Sequence, residues 1–111
     1  MTEPLHPDEL DETIHQKVRL VVVSALAAQD ELSFGELKDL TDATDGNLSV
    51  HLRVLEDAGF LTVRKRFVGR RPRTSYRLTE EGRGAFRAYL AKLARLVRES
   101  DVTGDNEEGG R

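Results

Sequence analysis

The sequence predicts a mainly α-helical α+β fold, with four helices and one small β-hairpin in a single domain. Three observations carry that expectation. Apolar residues recur at helical spacing around residues 10–28, 33–41, 44–58 and 79–98, with capping residues before three of these stretches. Between residues 61 and 78 the apolar period changes to two, around a turn that holds Gly69 and Pro72. The chain has 111 residues and no cysteine, so one modest core must stand without disulfides.

Residues 1–9 hold two prolines and no period, and are expected to form a loose arm ahead of a domain spanning residues 10–98. The acids Asp8, Glu9, Asp11 and Glu12 match the positive end of a helix dipole, which predicts a first helix running from there to about Ala28. Leu10, Ile14, Val18, Val21, Val22, Ala25 and Leu26 form its stripe, widened by Leu20 and Val23. Residues 29–32 read as a polar turn. Ser33 and Glu36 make a capping box for a short helix with Leu37 and Leu40 facing inward. Thr44 or Asp45 caps a third helix, and Gly59 ends it. In the hairpin, Leu61, Val63 and Phe67 share one face with Thr74, Tyr76 and Leu78, and residues 68–72 form the turn. Thr79 caps a last helix striped by Phe86, Tyr89, Leu90, Leu93, Leu96 and Val97. Residues 99–111 are acidic and glycine-rich, the composition of a disordered tail.

The net charge of -3 conceals a strong segregation. Residues 1–57 carry 4 basic and 13 acidic side chains, residues 58–98 carry 12 and 2, and residues 99–111 carry 1 and 5. No acid falls between Asp57 and Glu80, where Arg64, Lys65, Arg66, Arg70, Arg71, Arg73 and Arg77 all lie. A one-signed field on one element can govern binding against the total charge. Enzyme chemistry finds no support: no phosphate loop, no nucleophile beside a base, no cysteine. Asp8, Asp11, Glu12 and His15 would share a helix face, but dipole complementarity accounts for the acids without a metal, and no cofactor is expected. The nearly apolar stretch at residues 20–28 is far short of the roughly 18 residues of a membrane span, and no basic segment precedes it, so a cytoplasmic protein without membrane contact is expected.

In the third helix, Leu48, Leu52 and Leu55 lie within about 20° of one another and must face the core. The opposite side presents Gly46, Asn47, Val50, Arg53 and Val54, with Ser49 at its edge. Helix, short helix, tight turn, helix, basic hairpin and long helix follow in that order. The strings SFGELKDLT (33–41), TDGNLSVHLRVLEDAGFL (44–61) and KRFVGRRPRTSYRLTEEGR (65–83) carry a resemblance to winged helix-turn-helix regulators of the MarR/ArsR type, from Ile14 to about Leu96.

The resemblance implies a dimeric, cytoplasmic, DNA-binding transcription regulator, acting as a repressor. Residues 44–58 would be the recognition helix and residues 64–77 the wing. In the major groove Asn47 can pair with adenine, Arg53 can reach guanine or phosphate, and Val50 can meet a thymine methyl. Gly46 would allow close approach, and Thr44 would cap the helix and donate to a phosphate. Lys65, Arg66, Arg70, Arg71 and Arg73 would reach the minor groove or flanking phosphates. Leu10, Ile14, Val18 and Val21 against Phe86, Tyr89, Leu93 and Leu96 suggest a homodimer interface, which predicts a pseudo-palindromic site in double-stranded DNA. Two other functions fit the same order of elements: a module whose basic hairpin docks an acidic protein, and a MarR-type sensor of an unidentified small molecule.

Overall fold

A computed structural model describes residues 10–101. The elements run α1 (Lys17–Ala28), β1 (Leu32–Ser33), α2 (Phe34–Thr41), α3 (Asp45–Asp57), β2 (Leu61–Val68), β3 (Arg71–Leu78) and α4 (Glu80–Asp101). The first helix therefore begins later than its acids suggested. Asp11 takes the Thr13 N–H on its own side chain at 2.9 Å, and its carbonyl takes the His15 N–H at 2.7 Å. A short polar side chain that bonds its own backbone competes with helix formation. Gln16 becomes the N-cap instead, its side chain accepting from the Arg19 N–H at 2.9 Å.

The next caps follow the sequence closely. Ser33 Oγ accepts from the Glu36 N–H at 3.1 Å, and Glu36 Oε1 accepts from the Ser33 N–H at 2.8 Å. Leu37 is buried under α2, whereas Leu40, expected inside, is exposed. Asp42 ends α2 in the left-handed conformation, φ 58°, which a short polar side chain tolerates. Thr44 Oγ1 then caps α3 through the Asn47 N–H at 3.1 Å. Leu48, Leu52 and Leu55 are buried, as their spacing requires.

Gly59, φ 84°, turns the chain out of α3 into an antiparallel sheet of order β1-β3-β2. Strand β1 takes up Leu32, the end of the polar turn expected at residues 29–32, and the cap residue Ser33, pairing them with Tyr76 and Ser75. The hairpin is longer than expected too. Its register runs from Leu61↔Leu78 to Val68↔Arg71, leaving Gly69 and Arg70 as the turn and setting Pro72 opposite Phe67. Phe67 does not join the core: the strands project past it, and 72% of the residue is exposed.

Thr79 caps α4, accepting from the Gly82 N–H at 2.9 Å while donating to the Gly59 carbonyl at 2.7 Å. The helix crosses the end of the sheet so closely that a Cβ at Gly82 would stand 2.5 Å from the Phe60 carbonyl oxygen. It also runs through Glu99 to Asp101, into the stretch expected to be tail, with Arg95 and Glu99 paired at 3.6 Å one turn apart. The expected arm at residues 1–9, with Asp8 and Glu9, and the tail from residue 102 lie outside the described residues.

Candidate nucleic-acid interface

The outer face of α3 is open. Gly46, Asn47, Ser49 and Arg53 are exposed, and so is Val50, at 59%, although it is apolar. Nothing stands within 4 Å of a Cβ built on Gly46, so no contact inside the chain demands glycine there. Thr44 is exposed beside them, with its hydroxyl oxygen already accepting at the cap. Asp45, which would repel phosphate, is paired with Lys38 of α2 at 2.7 Å. The carboxylate holds the Lys38 ammonium above the usual lysine range, first through the hydrogen bond and then through its charge.

Between α3 and the hairpin lies an open groove lined by Ser49, Arg53, Glu56, Val63, Lys65 and Tyr76, floored by Leu52. It brings one cation from the helix and one from the strand to a single concavity. Burial, and then the Glu56 charge, push the Tyr76 phenol up, so it stays a protonated donor.

The basic hairpin is divided by acids that sequence proximity did not reveal. Glu31, just ahead of β1, accepts from Ser75 Oγ at 2.5 Å and pairs with Arg66 at 3.2 Å. The Ser75 hydrogen bond chiefly, then the charges of Arg66, Arg64 and Arg77, hold its carboxyl below the usual glutamate range. Glu36, kept low by its bonds to Ser33, lies 3.7 Å from Arg73. Of the five wing cations singled out from sequence, Arg66 and Arg73 thus have partners. Lys65, Arg70 and Arg71 are bridged to no acid among the described residues.

Arg19 was not singled out by sequence. Its guanidinium donates to the Thr13 carbonyl at 2.7 Å, the Glu12 carbonyl at 3.3 Å and His51 Nδ1 at 2.9 Å. Burial, then the Arg19 charge, hold His51 below the usual histidine range, so its Nδ1 stays free to accept. One side chain thereby ties the turn before α1 to α3. His15 Nδ1 meets the Tyr89 hydroxyl at 2.9 Å and ties the same turn to α4.

The eight residues expected at a subunit interface divide. Leu10, Ile14 and Tyr89 are closed inside the single chain and offer no surface to a partner, because the turn before α1 folds under α4. Val18, Phe86, Leu93 and Leu96 are half-buried, and Val21 is exposed. Leu90 and Val97 of α4 are exposed as well. No described helix is long and apolar enough to cross a membrane.

The winged helix DNA-binding domain family matches residues 18–97. The protein MJ0432 of Methanocaldococcus jannaschii, itself uncharacterised, is 34% identical over 79 residues, which cover 71% of this chain and 86% of the relative. Among solved structures, a transcriptional regulator homologue from Pyrococcus horikoshii OT3 is 28% identical with a TM-score of 0.76, over 82% of this chain and 90% of its own. A structure described as a MarR-family transcriptional regulator, from Enterococcus faecalis V583, is 30% identical with a TM-score of 0.66, over 79% of this chain and 78% of its own. An exposed polar helix face beside a basic hairpin, in a chain matched over most of its length, leads to one conclusion: the chain belongs to the winged helix DNA-binding domain family and is built as a transcription regulator of the MarR type.

Proposed function

We propose that the chain binds double-stranded DNA sequence-specifically, as a cytoplasmic homodimer that represses by occluding a pseudo-palindromic site. It is a binding protein rather than an enzyme. The observation that carries this is the groove shared by Arg53 of α3 and Lys65 of β2, which joins the exposed face of the helix to the hairpin. Inserted in the major groove, α3 presents Asn47, Val50 and Arg53 to base edges, while Lys65, Arg70 and Arg71 meet phosphates. The Asn47 side chain is free to read because the cap uses only its backbone N–H.

Binding to genomic duplexes, measured by fluorescence anisotropy across a salt series, tests the proposal. Tight binding with a steep salt dependence is expected, and replacing Arg70 and Arg71 by alanine should flatten the slope by about one to two units per protomer. Asn47→Ala should cost roughly 1–3 kcal/mol at one base position and little elsewhere. A chain that binds an acidic protein and shows no salt-dependent affinity for any duplex is not a DNA-binding regulator. Light scattering of free and DNA-bound protein decides the dimer.

A further inference from the structure

The hairpin ends in an apolar tip that its own fold does not use. Phe67 is 72% and Val68 58% exposed, adjacent in sequence and just before the Gly69–Arg70 turn. Phe67 pairs across the strands with Pro72, on the face that also carries Lys65, Val63 and Tyr76. That is the face that forms the groove against α3, so the aromatic ring stands on the α3 side of the hairpin, beyond the end of the core. Edge strands are ordinarily blunted with charge, whereas Phe67 and Val68, on opposite faces of β2, leave both faces of the tip apolar and mark it as a contact surface. The surrounding charge says what it contacts. Arg70 and Arg71 at the tip, and Lys65 on the Phe67 face, are bridged to no acid among the described residues, whereas Arg66 and Arg73, on the opposite face, are held by Glu31 and Glu36. An apolar point rimmed by these cations complements a narrow groove with phosphates on both walls and base stacks as its floor.

Resting on the DNA-binding function above, we propose that Phe67 is an apolar wedge, which enters the minor groove beside the sequence read by α3, partly unstacks one base step and kinks the duplex. Pro72, paired across the strands with Phe67, holds the strand at the tip in its extended form. Arg70 and Arg71 anchor the phosphates on either side. Unstacking costs least at pyrimidine–purine steps, so the wedge gives the protein a preference for such steps where it makes no polar contact with a base.

The test uses the full chain and a duplex of about 30 base pairs, three helical turns, that the wild type selects from a randomised pool. Dyes at the duplex ends report bending by energy transfer, and anisotropy reports affinity. Wild type should kink the duplex by at least about 20°. Phe67→Ala should lose the kink and bind about tenfold more weakly, with an unchanged salt slope because no charge is removed. Phe67→Trp should keep both kink and affinity. Because Phe67 is mostly exposed, the variants should melt as the wild type does, which circular dichroism verifies. Should Phe67→Ala bind and bend like the wild type, or lose affinity only through a flatter salt slope, the wedge is refuted while DNA binding stands. If the wild type selects no duplex, the DNA-binding function falls and the wedge with it; binding of the tip to phosphatidylglycerol vesicles instead would assign it to lipid.

Discussion

At Gly82 the approach of the Phe60 carbonyl leaves room for a hydrogen atom and nothing larger. Gly82→Ala should therefore destabilise the fold by about 1–3 kcal/mol in urea unfolding, because backbone rather than a flexible side chain must give way. Gly46 presents the opposite case. It lies on an exposed helix with open space around it, so alanine should leave stability unchanged or raise it by up to about 1 kcal/mol. If the helix approaches base edges closely there, the same Gly46→Ala variant should bind DNA more weakly. Measuring both properties on one protein separates a glycine kept for folding from one kept for contact.

Among the elements, the hairpin changes most when seen folded, since Glu31, just ahead of the two-residue strand at its edge, meets Ser75 and Arg66. Glu31→Gln should release Arg66 and relieve Arg64 and Arg77. It should tighten binding to mixed-sequence DNA and steepen the salt dependence, read from anisotropy at several salt concentrations. What the sequence made legible was local. The Ser33–Glu36 box, the Thr44 and Thr79 caps, the Leu48–Leu52–Leu55 stripe and the Gly59 turn are each decided within a few residues. The α3 residues Gly46, Asn47, Ser49, Val50 and Arg53 are exposed, as the same periodicity predicts. What escaped was non-local. Strand β1 is too short to show a period, and Glu31 meets Ser75 from 44 residues away. Alternation placed Phe67 on the core side of its strand but could not say where along the strand the core ends. Nor could a count of apolar residues tell that Leu10, Ile14 and Tyr89 close one chain's interior.

At the scale of the molecule, Arg19 and His51 couple the turn before α1 to α3, and that coupling titrates. His51 in the folded chain lies below its ordinary value near 6.5. As pH falls below about 6.5 the unfolded chain takes up a proton that the folded chain refuses. Stability from this group is therefore complete above that pH and is lost as pH falls through the depressed folded value. Thermal melts between pH 8 and 5 should show the loss, and His51→Gln should remove it. Glu31 and Glu36 are held below the ordinary value near 4.5, so their contributions disappear only at lower pH. The same two acids bear on time as well as affinity. A regulator that scans a genome must leave every wrong site, and each phosphate-bound cation lengthens its stay. On the proposed function, Glu31 and Glu36 should shorten those stops by engaging Arg66 and Arg73 within the fold. A chain so balanced would spend less of its search idle, with Arg70 and Arg71 at the tip holding it only where the rest of the surface also fits.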